Sequence, residues 1–106
     1  MKKKDLIEFL RSTIEGDAII ARIYNLFHLT YKYSLEELEE LIQYGVKNNY
    51  FTIGDLEDYE KNYSKVEWAE DNVYQEIFMN DKEPYIKCLF SGDGTVPKNF
   101  MKFLDI

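Results

Sequence analysis

The sequence predicts a mainly α fold, a compact bundle of about five helices with at most a short β-hairpin near the C-terminus, in one domain over residues 1–106. Three observations predict it. Apolar residues recur at three- and four-residue spacing through five stretches of chain, the repeat that lines one face of a helix. Ser34, Thr52 and Ser64 each stand at the head of such a stretch, where helix-capping side chains belong. Only Tyr85 to Phe90 has the composition of a strand.

Taken in order, Lys3 to Glu15 sets Leu6, Ile7, Leu10 and Ile14 on one face, and Gly16 ends that helix. Asp17 is placed to cap a second helix, Ala18 to about Tyr31, whose Ile19, Ile20, Ile23, Leu26 and Phe27 make it apolar around most of its circumference and the candidate for the core. Ser34-Leu35-Glu36-Glu37 is a capping box: the serine hydroxyl can accept from the Glu37 amide while the Glu37 carboxylate reaches back to Ser34. The third helix that follows buries Leu35, Leu38, Leu41, Ile42 and Val46, turns Glu36, Glu37, Glu39, Glu40 and Gln43 outward, and ends at Asn48-Asn49 in a left-handed turn.

Thr52-Ile53-Gly54-Asp55 repeats the cap pattern before Ile53, Leu56, Tyr59 and Tyr63, a fourth and shorter helix. Ser64-Lys65-Val66-Glu67 heads a fifth, in which Val66, Ala69, Val73, Tyr74, Ile77 and Phe78 recur at helical spacing to about Met79. Asn80 to Pro84 breaks the pattern before the strand-like run, and Lys98 to Leu104 makes a last helical turn that returns Phe100, Met101, Phe103 and Leu104 to the core. The alternative is an α+β winged helix, with Val73–Met79 and Tyr85–Phe90 paired as a hairpin behind the helices.

Hydrophobic residues make up 45% and aromatic residues 16% of the chain, enough apolar surface to offset the entropy of ordering it. Cys88 is the only cysteine, so no internal disulfide forms and a reducing compartment is expected. Lys2 to Lys4 are followed by Asp5, Glu8 and Arg11 rather than an apolar signal-peptide core, and the longest apolar stretch, Ala18 to Leu29, contains Arg22 and His28; a cytoplasmic protein is expected. Asn62-Tyr63-Ser64 matches the glycosylation pattern, which has no meaning in that setting. Eleven of the thirteen basic residues are lysine, the usage of an AT-rich genome such as that of a low-GC bacterium or its phages.

Gly92-Asp93-Gly94-Thr95-Val96-Pro97 resembles the string that carries the catalytic acid in lipases of the cholesterol acyltransferase kind. Such an enzyme needs a serine in G-x-S-x-G and a histidine after the acid. None of Ser12, Ser34, Ser64 and Ser91 has that setting, and the only histidine, His28, precedes Asp93. The string is therefore read as a glycine-permitted turn. The same loop lacks the phosphate-cradling P-loop pattern. One histidine and one cysteine do not make a zinc site, and Asp55 to Glu60 lacks the spacing of a calcium loop. No enzyme class, metal or cofactor is expected.

Charge is the informative feature. Of a net charge of −7, residues 36–83 carry fourteen acidic against four basic side chains, while the rest of the chain carries six against nine. A field of that sign repels nucleic-acid phosphates and attracts a basic protein surface. The stretch Glu37 to Tyr59, ELEELIQYGVKNNYFTIGDLEDY, resembles part of the acidic N-terminal region of primary bacterial sigma factors, with Asn49 in place of the usual turn glycine. That resemblance implies an acidic helix-turn-helix pattern of a kind that occupies a DNA channel before DNA does.

The function expected is therefore a small acidic, non-enzymatic binding protein that inhibits a basic, nucleic-acid-handling partner, such as a phage anti-CRISPR or a nuclease-immunity protein. Its expected contacts are Glu36, Glu37, Glu39, Glu40, Tyr44, Asp55, Glu57, Asp58, Glu60, Glu67, Glu70 and Asp71. Trp68 and the nine tyrosines suit a binding surface, with Tyr31, Tyr33, Tyr44 and Tyr50 as the exposed candidates and Tyr24, Tyr59, Tyr63 and Tyr74 at the edge of the core. The alternative is a winged helix-turn-helix transcriptional regulator using Lys2 to Lys4, Arg11, Arg22 and Lys32; a third reading is a small subunit of a larger assembly.

Overall fold

A computed structural model describes residues 1–105. Helices and a small three-stranded antiparallel sheet share one core, so the fold is α+β rather than a helical bundle. The order is α1 (Lys3–Glu15), α2 (Ile20–Ile23) running on as a π-helix (Tyr24–Thr30), α3 (Leu35–Lys47), β1 (Phe51–Asp55), β2 (Asn62–Tyr63), β3 (Gln75–Met79), α4 (Glu83–Phe90) and a 3₁₀ segment (Lys98–Phe103). The sheet order is β2-β1-β3, with Phe51 opposite Met79, Ile53 opposite Ile77 on one side and Ile53 opposite Tyr63 on the other.

The first half of the chain folds largely as its periodicity dictates. Leu6, Ile7, Phe9 and Leu10 are buried on α1, and Gly16 ends it in the left-handed region at φ 78. The Ser34 hydroxyl accepts from the Glu37 amide at 3.1 Å, the first half of the capping box, and Asn49 takes the left-handed turn at φ 61. The second helix differs from expectation. It starts at Ile20 without a side-chain cap from Asp17, because Ile19 pairs as a single bridge with Glu76 and the Ala18 carbonyl accepts from the Ile77 amide. Beyond Ile23 it widens to a π-helix, in which the Thr30 hydroxyl donates to the Asn25 carbonyl five residues back.

Three expected elements are replaced. The helix expected over Thr52–Tyr63 is β1, a turn and β2: Phe51 and Ile53 face the core at the two-residue repeat of a strand. The fifth helix, expected over Val66–Met79, is an irregular segment followed by β3, and Val73, one of its stripe residues, is 64% exposed. Its breaker is Asn72, whose side-chain oxygen accepts from the amides of Tyr74 and Gln75 and so withdraws them from a helix. The strand expected over Tyr85–Phe90 is α4, with Pro84 in its first turn where a missing N–H costs nothing. The hairpin proposed between Val73–Met79 and Tyr85–Phe90 is therefore absent, since β3 pairs with β1.

The C-terminal segment closes the core. Phe100 is fully buried, stacked on Phe51 at 5.5 Å and edge-on to Tyr44 at 5.9 Å, while Phe9 bridges Phe51 to Phe27. Phe103 and Leu104 pack beside it, but Met101 faces outward. Among the described residues no helix is long and apolar enough to cross a membrane.

Phe100→Ala is expected to cost about 3–5 kcal/mol, the range for truncating a buried aromatic, measured by urea unfolding. In the SGDG turn, Gly94 is buried at φ 87, and an added Cβ would sit 2.8 Å from the Leu89 carbonyl oxygen. Gly94→Val is therefore expected to destabilise strongly in the same assay, whereas Asp93→Ala, on the exposed side of the turn, should stay within about 0.5 kcal/mol of wild type.

Candidate partner-binding face

The acidic face is built on α3. Its inward stripe Leu38, Leu41 and Ile42 is fixed by the core, which leaves Glu36 and Glu40 exposed and Glu39 half-buried along the outer side. The chain from Ser64 to Trp68 then runs across that side. The Gln43 amide donates to the Ser64 carbonyl at 3.0 Å, Val66 is buried, and the Trp68 indole N–H donates to Glu39 Oε2 at 2.8 Å. Between helix and crossing segment lies an open groove of about 540 Å³ lined by Leu35, Glu36, Glu39, Glu40, Val66 and Trp68. Its floor is apolar and its rim is carboxylate.

A buried amide network holds the crossing segment in place. Gln75 is fully buried; its Oε1 accepts from the Glu67 amide at 2.8 Å and from Asn72 Nδ2 at 2.9 Å, and its Nε2 donates to the Lys65 carbonyl at 3.0 Å. Asn72 Nδ2 also donates to the Glu67 carbonyl. With every amide atom satisfied, the network fixes one path for the backbone from Lys65 to Glu67.

Two further groups of acids flank the groove. Glu57, Asp58 and Glu60 stand exposed on the β1–β2 turn beside Tyr59, which is 86% exposed. Glu70 and Asp71 are exposed at the next turn, where the Glu70 carbonyl accepts from Asn25 Nδ2. The two turns are tied together, because the Leu56 amide donates to the Tyr74 carbonyl and the Tyr74 hydroxyl donates to Glu67, a bond that pushes the Tyr74 pKa up to about 12. Among the described residues the ion pairs are Met1 with Asp105 and Arg22 with Glu8, so none of these carboxylates is in an ion pair, and Lys61 on the β1–β2 turn is the cation whose charge reaches Asp58.

Of the expected contact residues, Glu36, Glu39 and Glu40 are brought together, and Glu57, Asp58, Glu60, Glu70 and Asp71 are exposed on the surface, Asp58 accepting from the Glu60 amide at 3.1 Å. Glu67 is exposed but engaged by Tyr74. Glu37 turns away, toward a hollow it shares with Lys2, Lys4 and Lys32. Two residues are structural instead. Asp55 is buried, accepting from the amides of Glu57 and Asp58 and from the Tyr63 hydroxyl at 2.6 Å. Tyr44 donates to the Asn99 carbonyl at 2.6 Å, with its ring packed against Phe103.

Tyr24 and Tyr63 are half-buried, as expected of the core edge, but other tyrosines exchange roles. Tyr31 and Tyr33 are anchored to Glu8 and Asp5, and Tyr50 packs on Phe100, whereas Tyr59 and Tyr74 are exposed. His28 sits at the core boundary, its Nδ1 within 2.8 Å of the Tyr33 carbonyl oxygen. Trp68 is the site residue whose place neither charge nor periodicity reveals; its signal is that it is the lone tryptophan, inside the acidic half.

On the basic side, a cleft of about 700 Å³ is lined by Lys3, Lys4, Arg11 and Arg22, but also by Glu8, Glu15, Asp17 and Asp93. Arg11 donates to the Leu89 carbonyl at 2.6 Å and Arg22 to Ser12 Oγ at 3.0 Å, so both guanidinium groups are engaged in holding the fold. Among the described residues no three His, Cys, Asp or Glu side chains converge as a metal site would require. Comparison with models of protein families, with curated proteins and with solved structures finds no match.

Two buried carboxyls bias stability in opposite directions with pH. The Tyr63 hydroxyl, followed by the Glu57 amide, holds Asp55 below the usual aspartate range, so its contribution is present at neutral pH and lost as pH falls. Burial, then the nearby Asp17 carboxylate, pushes Glu76 up, so its ionised form opposes folding at neutral pH and acidification relieves it. Thermal melts across pH are expected to show Asp55→Asn below wild type at neutral pH and Glu76→Gln above it. Both differences should close as pH falls through the carboxylate range.

Proposed function

We propose that this chain is a small acidic, non-enzymatic binding protein that inhibits a basic, nucleic-acid-handling partner by occupying the surface meant for phosphates. The observation that carries this reading is the set of exposed carboxylates on α3 and the following turns, none of them in an ion pair among the described residues. Such a face steers a basic surface toward it and repels DNA. A nuclease-immunity or phage anti-defence role, as of an anti-CRISPR, suits that chemistry, and the residues proposed to bear it are Glu36, Glu39, Glu40, Glu57, Asp58, Glu60, Glu70 and Asp71, with Glu67 beside them.

A second reading is favoured by topology. Helix, bridging residue Ile19, two helices joined by a turn with Lys32 at φ 68, and then the β1–β3 ribbon follow the order of a winged helix-turn-helix domain. In that arrangement α3 is the recognition helix and residues 56–74 are the wing. Both are acidic, which disfavours a DNA-binding regulator and supports a winged-helix frame turned to protein binding.

The two readings separate in one capture experiment. Immobilised protein should retain nucleic-acid-binding proteins from a bacterial lysate, release them when a double-stranded oligonucleotide is added, and lose them in the folded variant carrying Glu36→Lys, Glu40→Lys, Glu57→Lys and Asp58→Lys. The protein itself should not shift the oligonucleotide at low salt. Unchanged capture by the variant, or a salt-sensitive shift of the oligonucleotide, would overturn the proposal.

A further inference from the structure

We propose that the groove between α3 and Trp68 receives an arginine side chain of the basic partner; this rests on the proposed function and names the group its acidic face recognises. Two independent features of the groove point to that ligand. Its floor of Leu35, Val66 and Trp68 offers an aromatic surface and an aliphatic strip for a long side-chain stem. Its rim of Glu36, Glu39 and Glu40 carries negative charge, and none of the three makes an ion pair among the described residues.

The cations of this chain confirm the vacancy of charge at Trp68. Among the described residues Arg11 lies over Phe90, Lys61 over Tyr63, and Lys102 over Tyr44 and Phe103, but none lies over Trp68, although the indole is the ring that attracts a cation most strongly. Glu39 accepts the indole N–H and so fixes the ring against α3. Glu36 and Glu40, one helical turn apart on the same face of α3, remain exposed and line the groove with it, spaced to accept a forked donor. A guanidinium meets all three demands: it is planar and stacks, it forks onto carboxylates, and it is weakly hydrated. A lysine ammonium meets only the charge, and a phosphate is repelled.

Trp68 is the only tryptophan, so its emission reports the groove directly. Short capped peptides of arginine, of lysine and of citrulline are titrated into the protein at low ionic strength. The arginine peptide should produce a saturable change, the lysine peptide should bind roughly fivefold or more weakly, and the uncharged citrulline peptide should give none. Glu36→Gln with Glu40→Gln should weaken the arginine peptide by roughly tenfold or more at unchanged melting temperature. Trp68→Leu, read by calorimetry, should weaken it as well, and should bring the two cationic peptides close together in affinity.

Equal binding of arginine and lysine, or arginine binding unaffected by the glutamine substitutions, would overturn the proposal. The capture experiment separates this failure from that of the broader reading. If oligonucleotide-sensitive capture persists in Trp68→Leu and in the double glutamine variant, the groove is not the arginine site although the acidic face binds its partner. If wild-type protein shows no such capture, the proposed function itself falls.

Discussion

The surface of this protein depends on one buried side chain, the amide of Gln75. β3 begins at that residue, and the ten residues before it have too few buried apolar side chains to define a path of their own: Val66 is buried, while Val73 and Tyr74 are exposed. Gln75 supplies the missing constraint through bonds to Lys65, Glu67 and Asn72, and no buried side-chain polar atom of the described residues is left without a partner. A fully satisfied network in a low-dielectric interior is stiff and specific, and removing one member exposes the rest to the cost of unpaired burial.

From that constraint the acidic face follows. With Lys65 to Glu67 held against β3, Trp68 donates to Glu39, and the groove along α3 is the space left between the helix and the crossing segment. The charges are not stabilising in themselves. Several carboxylates close together repel one another, and the fold tolerates them because the core beneath, to which α3 itself gives Leu38, Leu41 and Ile42, supplies the stability. Arg11 and Arg22, which would have been the obvious cations to soften the field, are tied to carbonyl and hydroxyl oxygens on the other side.

The α3 half of this face was legible in the sequence because helical periodicity and a capping box say which glutamates point outward, and Ser34, Glu36, Glu39 and Glu40 lie where that reasoning puts them. The rest was not. Ile53, Leu56, Tyr59 and Tyr63 fit a helical repeat, yet Phe51 and Ile53 fit a strand equally, and the decision belongs to Ile77 and Met79, which pair with them from more than twenty residues away. Residues 64–74 have helical spacing too, but Asn72 competes locally for the amides of Tyr74 and Gln75, and the Gln75 side chain bonds Glu67 and Lys65 eight and ten residues back, where local spacing carries no signal. Tyr44 and Asp55 lie further inward than their sequence positions suggest for a related reason: an aromatic or acidic residue at a predicted surface position is drawn inward when a distant carbonyl or hydroxyl waits for it.

The most direct test of this dependence is amide hydrogen exchange at Glu67 in Gln75→Ala. Loss of the Gln75 acceptor should speed exchange at Glu67 by roughly tenfold or more, while Ile53 and Ile77 in the sheet keep their protection. Unchanged protection at Glu67, or its loss together with that of the whole sheet, would contradict the role assigned to Gln75 in building the acidic face.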